Sequence, residues 1–181
     1  LLLKGLTPPE AIALFHGWRS EEEVLKYLLV FGGVPKYLEE VRLNRSFAQN
    51  MNRLCFSDAS PLTRETERVF YTQFREAKTY ERIVVLLRDW MMTLKDLSTH
   101  LRMASGGGLA LYLSNLEQAE IVRSFLPFGR GARSKLRTYA LADEYLHFYY
   151  RYIAPNRRTI AESDSPRLFE LLTGASFEVW L

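Results

Sequence analysis

The sequence predicts a mainly α fold, a helical bundle followed by a winged helix-turn-helix with a two-stranded wing. Helix-capping residues repeatedly precede short amphipathic runs, and three consecutive runs in the second half of the chain are followed by two alternating segments. The chain has 181 residues, 48% of them hydrophobic, which is enough to bury a core. We expect a helical bundle at 1–78, the winged helix at 79–155, and at 156–181 a linker with the start of a truncated C-terminal region.

Capping signals mark the helix starts of the first bundle. A serine or threonine at the N-cap accepts a hydrogen bond from a free backbone N–H, and an acid or amide three residues later returns the bond. N-caps of this kind are predicted at Thr7, Ser20 and Ser46, and Ser60 opens a long helix to about Lys78.

The turn at Gly32-Gly33 separates the second helix of this bundle from the third. Glycine adopts left-handed backbone at low cost, so the pair predicts a helix end. Pro35 then falls in the first turn of the next helix, where no N–H is needed. That helix is expected to reach about Arg42.

The second half of the chain predicts three helices and a hairpin. The helices are expected at 80–90, at 93–103 with Thr93 as N-cap, and at 109–119, and the strands at 121–128 and 136–141. This is the order of a winged helix-turn-helix, in which 109–119 is the candidate recognition helix and 121–141 the wing.

An aromatic helix is predicted to follow, with Asp143 as N-cap and Ile153 near its end. Its aromatic side chains suit either a base-stacking platform or a packed core. Helical spacing favours the core, because aromatic residues spaced in this way usually pack inward. The residues concerned are Tyr145, Phe148, Tyr149, Tyr150 and Tyr152.

A search for catalytic groups finds none. The chain has no Gly-x-x-x-x-Gly-Lys-Ser/Thr phosphate loop, and the three histidines are scattered, so neither phosphate chemistry nor a metal site is predicted. A single cysteine, Cys55, excludes an internal disulfide framework and favours the reducing cytoplasm. No apolar stretch is long enough to span a membrane.

Basic residues concentrate in the predicted wing. Four cations, Arg130, Arg133, Lys135 and Arg137, lie there without an acid between Phe128 and Tyr139. Contact with DNA phosphates is one interpretation, and a solvated basic turn is the other. On the recognition helix, Asn115 and Gln118 are candidates for adenine contacts, but its exposed positions carry no arginine or lysine. The small net charge of +3 does not by itself indicate a nucleic-acid partner.

Three segments resemble a known family. They are Leu3-Lys-Gly-Leu-Thr-Pro-Pro-Glu-Ala11, then Phe31-Gly-Gly-Val-Pro-Lys-Tyr-Leu38, then Ala142-Asp-Glu-Tyr-Leu-His-Phe-Tyr-Tyr-Arg-Tyr-Ile-Ala-Pro-Asn156. Together they resemble the prokaryotic and archaeal AAA+/STAND ATPases, in which a nucleotide-binding domain is followed by a helical lid and a winged helix. The resemblance covers essentially the whole chain.

The resemblance implies a partner domain and a cofactor. The phosphate loop would lie before Leu1, in a nucleotide-binding domain of the same polypeptide, and a nuclease-like domain would lie after Leu181. ATP or ADP with Mg would bind to the parent protein, and Gly32, Gly33 and Pro35 would face the adenine. The same three residues are also explained by a helix end followed by a helix start.

Three functions stay open at this point. The leading one is the lid and winged helix of an ATPase that couples nucleotide state to DNA or protein binding, as a possible homo-oligomer. The second is a free-standing DNA-binding regulator whose helical bundle is a dimerisation arm. The third is an adaptor whose winged helix docks on protein.

Overall fold

The computed structural model describes residues 5–15, 17–63, 76–104, 107–131 and 134–180. These residues form a mainly helical fold with a small antiparallel sheet of three strands. The chain divides into two compact units. Unit 1 comprises residues 1–67 and 148–181, and unit 2 comprises residues 68–147. Over the described ranges, no helix has the length and apolar character needed to cross a membrane.

In the described part of unit 1, helices lie both before and after unit 2 in the chain. The first four are α1 (Pro8–Phe15), α2 (Glu21–Phe31), α3 (Pro35–Glu39) and α4 (Phe47–Cys55). Those after it are a π-helix (Tyr149–Ile153), a 3-10 turn (Ala154–Asn156), α9 (Arg157–Glu162), α10 (Leu168–Thr173) and α11 (Ala175–Trp180).

Unit 2 alternates helices with the strands of the sheet. Its elements are α5 (Ala77–Leu87), β1 (Met92–Thr93), α6 (Leu94–Leu101), α7 (Gly107–Gln118), β2 (Val122–Phe125) and β3 (Thr138–Leu141). The helix α8 (Glu144–Phe148) follows and leads back to unit 1. Of the long helix predicted from Ser60 to Lys78, residues 61–63 and the start of α5 are helical, and 64–75 lie outside the described residues.

The N-caps predicted at Ser20, Ser46 and Thr93 are confirmed, and Thr7 forms the returning bond of its cap with Glu10. Glu10 accepts a hydrogen bond from the backbone of Thr7 at 2.8 Å. The hydroxyl of Ser20 accepts from the backbone N–H of Glu23. Complete capping boxes join Ser46 to Gln49 and Thr93 to Asp96. Because these signals act within one helical turn, the sequence alone is enough to find them.

Residues 156–180 differ from the predicted linker, because most of them are helical and they complete the core of unit 1. Phe169 and Phe177 have ring centroids 5.1 Å apart, and both rings meet Phe47 of α4, at 5.7 and 5.8 Å. The buried Asn52 fixes this arrangement, because its side-chain oxygen accepts from the backbone N–H of Phe169 at 2.8 Å. The side chains of the segment thus pack against residues more than 100 positions earlier.

The sheet of unit 2 has one strand more than the predicted two-stranded wing. Its order is β1-β3-β2, and both pairings are antiparallel. The added strand, β1, pairs Met92 with Tyr139 and Thr93 with Thr138. Helices α5, α6 and α7 bury Ile83, Leu97 and Leu113 in the interior of this unit.

The aromatic segment after Asp143 is core rather than a stacking platform. Tyr145, Tyr149, Tyr150 and Tyr152 are all at most 5% exposed, and Phe148 is fully buried. Asp143 caps the segment as predicted, because its carboxylate accepts from the backbone N–H of Leu146 at 2.7 Å. Burial raises the pKa of this carboxyl above its usual range. The helical hydrogen bonding widens to a π pattern at Tyr149–Ile153, which the sequence did not predict.

Candidate functional sites

The turn between α2 and α3 carries the residues predicted to face a nucleotide. Gly32 ends α2 with φ of 62°, and its N–H donates to the carbonyl of Leu28 at 2.8 Å. The carbonyl of Gly33 accepts from the backbone N–H of Leu6 at 2.6 Å. A Cβ at Gly33 would lie only 2.2 Å from the carbonyl oxygen of Leu6. Both glycines therefore have structural roles within unit 1.

Exposed apolar residues occur on both sides of these glycines in the sequence. Pro35 is exposed at the first position of α3, and Val34 immediately before it is 37% exposed. On α2, Leu25 and Leu29 are one helical turn apart, so they lie on the same face, and each is 43% exposed. We call these four residues the α2–α3 apolar surface.

The cations of the β2–β3 hairpin, residues 121–142, differ in their exposure to solvent and in their hydrogen bonds. Arg130 and Lys135 are exposed. Arg137 is half-buried, and its guanidinium donates to the hydroxyl of Ser124 at 2.9 Å, so it also joins the two strands. Arg133 lies outside the described residues.

Arg123 is an exposed cation of the hairpin that the sequence analysis missed. It lies on β2 opposite Ala140, one residue after the buried Val122. Side chains alternate between the two faces of a strand, so the burial of Val122 turns Arg123 to solvent. This alternation was the signal that could have identified it. From Ile121 to Ala142 the chain contains no acid.

The two polar residues predicted on the recognition helix have different environments. Asn115 is half-buried, and its amide nitrogen donates to the hydroxyl of Tyr80 on α5 at 2.6 Å. Gln118 is exposed at the end of α7. Tyr112 is also half-buried, with its ring edge-on to Tyr80 and its hydroxyl hydrogen-bonded to Glu76. The amide of Asn115 thus joins α7 to α5, and its contact with adenine stays a prediction.

The outer face of α7 is uncharged. Gly107, Leu111 and Gln118 are exposed and Ser114 is half-buried, and their spacing places them on one side of the helix. Leu111 is 61% exposed. This side of α7 thus presents small and apolar groups and a single amide.

Among the described residues no group of three or more histidine, cysteine, aspartate or glutamate side chains could hold a metal ion. The histidines that are described contact backbone instead. Nδ1 of His100 lies 2.8 Å from the carbonyl oxygen of Asp96, and Nε2 of His147 lies 3.2 Å from that of Leu141.

An open cleft of about 810 Å³ lies in unit 1 between α4 and residues 161–170. The sequence did not predict this cleft, because its two walls are more than 100 residues apart in the chain. Its charged lining residues are Arg45, Arg53, Arg167, Asp58, Asp164 and Glu170. Three cations and three acids balance, so the lining does not favour a ligand of either charge.

The chain is similar to a curated protein of Methanocaldococcus jannaschii described as uncharacterized protein MJECL04. The two are 29% identical over 141 residues, which is 78% of this chain and 31% of the relative. The chain thus spans about a third of the length of that relative. No protein-family model matches the chain. No solved structure gives a significant match.

Proposed function

We propose that this chain is the lid and winged-helix portion of an ATP-binding switch protein of the AAA+/STAND kind. The nucleotide-binding domain lies earlier in the same polypeptide and holds ATP or ADP with Mg. Unit 1 acts as the lid, and unit 2 is the winged helix that receives the change of nucleotide state. The upstream coding sequence tests this proposal first, since a phosphate loop there separates it from a free-standing regulator.

The α2–α3 apolar surface supports the lid assignment. Its four members are apolar and exposed, and two of them, Val34 and Pro35, directly follow a turn whose backbone is held by contact with Leu6. An exposed proline ring offers a flat apolar face without an N–H that needs a partner, which suits the face of a purine. Because the backbone of the turn is held by its contact with Leu6, the Pro35 ring is already positioned before the nucleotide binds.

The order of elements in unit 2 supports the winged-helix assignment. Three helices precede a hairpin, and the short strand β1 between the first two pairs with the second strand of that hairpin. In a winged helix the third helix faces the groove and the hairpin reaches the adjacent backbone. In this chain those elements are α7 and β2–β3.

The positive charge of the β2–β3 hairpin is the observation that supports DNA binding by unit 2. Arg123, Arg130 and Lys135 are exposed, and no acid occurs from Ile121 to Ala142. We infer that the hairpin binds the phosphate backbone of DNA. Phosphate contacts do not distinguish one base from another. The outer face of α7 has few groups that could contact bases, so binding is largely independent of the DNA sequence.

Fluorescence anisotropy with a labelled duplex at several salt concentrations tests this inference. Each phosphate neutralised contributes about −0.9 to the log–log slope of affinity against salt. Replacing Arg123, Arg130 and Lys135 by alanine should flatten the slope by about two to three units. The matched control replaces Lys36, Arg42 and Arg158, three exposed cations of unit 1, and should leave the slope nearly unchanged.

Absence of binding at low salt by folded protein would contradict the DNA assignment. It would favour the adaptor function, in which unit 2 docks on a protein. The exposed side chain of Leu111 on the uncharged face of α7 is the observation that supports this second candidate.

A further inference from the structure

The tip of the β2–β3 hairpin exposes apolar side chains as well as cations. Phe125 is 45% exposed, Leu126 38%, Leu136 51%, and Phe128 is completely exposed at 106%. Single exposed apolar residues are common on protein surfaces, but a cluster within one hairpin marks a binding surface.

A tight turn holds Phe128 at the end of the hairpin. The backbone N–H of Arg130 donates to the carbonyl of Pro127 at 3.1 Å, which closes a four-residue turn. Gly129, at its third position, has φ of 75°, a conformation that glycine adopts easily and that type II turns require. Phe128 occupies the second position of the turn, and this corner position leaves its side chain in solvent.

Exposed cations occur in the same hairpin as this ring. Arg130 follows it within the same turn, Lys135 lies farther along the loop, and Arg123 lies on the preceding strand. An exposed aromatic ring among cations, without acids, matches a partner that presents anionic groups next to flat apolar faces. Unpaired nucleic acid presents its phosphates and bases in this way.

We propose that Phe128 stacks on an unpaired base, so that the hairpin binds DNA preferentially where a duplex adjoins a single-stranded tract. This proposal rests on the DNA-backbone binding proposed above and names the class of DNA. A base within a duplex is already stacked and paired, so inserting a ring between base pairs costs a few kcal/mol of unstacking. An unpaired base offers the same π-face without that cost.

The test compares affinities of the 181-residue chain for two labelled DNAs at one salt concentration. One is a continuous duplex, and the other is the same duplex with a gap of about eight nucleotides, within the site size of known single-strand binders. Stacking of one base increases affinity by about fivefold or more. We expect the gapped DNA to bind at least about fivefold more tightly than the duplex.

Variants at the tip show whether the ring causes this preference. Phe128→Ala should reduce the ratio of the two affinities to near one, and Phe128→Trp should preserve it, because a larger ring still stacks. Phe128→Leu keeps an apolar side chain but loses the flat face, so it should behave like Phe128→Ala. The matched control, Leu136→Ala, removes a neighbouring exposed apolar side chain and should leave the ratio unchanged.

Three outcomes would overturn the inference. Equal binding of duplex and gapped DNA would do so while leaving the proposed backbone binding intact. No binding of either DNA would overturn both proposals. Binding to vesicles of anionic phospholipid that depends on Phe128, without a preference for gapped DNA, would assign the tip to a membrane surface instead.

Discussion

The backbone N–H of Leu6 donates a 2.6 Å hydrogen bond to the carbonyl of Gly33, and the two segments lie so close that no side chain fits between them. Gly5 contributes to the same contact, since a Cβ there would lie 3.0 Å from the backbone of Gly33. Residues 5–6 thus hold the turn between α2 and α3 from one side. Val34 and Pro35, two members of the α2–α3 apolar surface, directly follow this contact in the sequence.

Gly33→Ala should destabilise unit 1. The added methyl would lie 2.2 Å from the carbonyl oxygen of Leu6, and backbone cannot move aside as a flexible side chain can. Forcing extra volume into a packed site costs about 1 to 3 kcal/mol, which we expect as the loss in the free energy of unfolding. Urea denaturation followed by circular dichroism measures it.

The control for this substitution is Gly108→Ala. Gly108 lies in the first turn of α7, and nothing is within 4 Å of the position its Cβ would take. Alanine is the better helix former, so this change should raise stability by up to about 1 kcal/mol. Equal effects of the two substitutions would contradict the close contact at Gly33.

Local signals made much of this fold predictable. A capping box such as Ser46 with Gln49 is complete within four residues, so the sequence contains the whole interaction. The end of α2 at Gly32 and the start of α3 at Pro35 are also determined by residues next to one another in the sequence. The mainly helical class follows from these signals together with helical periodicity.

Contacts between distant residues account for what the sequence did not predict. Strand β1 has only two residues, too few for a periodic pattern, and exists because Met92 meets Tyr139. The helices after residue 156 are short, and they are stabilised by packing that no local pattern records, such as Phe169 on Phe47. The candidate sites show the same limit, because nothing near Asn115 in the sequence indicates its bond to Tyr80.

Asn115→Ala should lower the stability of unit 2. Its amide donates to Tyr80 at 2.6 Å, and a hydrogen bond of this kind contributes about 1 kcal/mol net. Gln118→Ala, on the exposed end of the same helix, should change stability by less than about 0.5 kcal/mol. Urea denaturation measures the stability of both variants. A double-mutant cycle of Asn115→Ala and Tyr80→Phe then gives the interaction energy between the two side chains. A change at Asn115 as small as that at Gln118 would contradict the bond to Tyr80.

Alkaline pH should destabilise unit 1 through Tyr27. This side chain is fully buried, and its hydroxyl accepts from Asn50 at 3.0 Å. Burial raises the pKa of Tyr27 to about 12, whereas an unfolded tyrosine titrates near 10. The folded pKa is the higher one, so the contribution of Tyr27 is complete below about pH 10 and is lost as pH rises towards 12. The slope in this interval is about 1.4 kcal/mol per pH unit.

Tyr27→Phe isolates this contribution. At neutral pH the variant should be about 1 kcal/mol less stable than the parent, because Asn50 loses one acceptor. Between pH 10 and 12 the parent should lose stability more steeply, so that the difference between the two narrows and then reverses. Urea denaturation at each pH measures both curves, and other tyrosines cancel in the comparison. Parallel curves would contradict the raised pKa.

Pro35→Ala tests the proposed lid, in the longer polypeptide that carries the proposed nucleotide-binding domain. If Pro35 packs on adenine, the loss of its ring should weaken ADP binding by about 1 kcal/mol, or roughly fivefold, the scale of one buried apolar contact. Calorimetric titration with ADP measures this change, and circular dichroism should show unchanged helix content.

Pro8→Ala is the matched control, because Pro8 is also exposed and also occupies the first position of a helix, α1. Both substitutions remove the same ring and relax the same backbone constraint, so they share any effect on the unfolded chain. The two sites differ in their neighbours, because Pro8 lies between Thr7 and Pro9, whereas Pro35 lies between Val34 and Lys36. If Pro35→Ala lowers the affinity for ADP and Pro8→Ala does not, the turn between α2 and α3 contacts the nucleotide. Unchanged affinity in both variants restricts Gly32, Gly33 and Pro35 to ending one helix and starting the next.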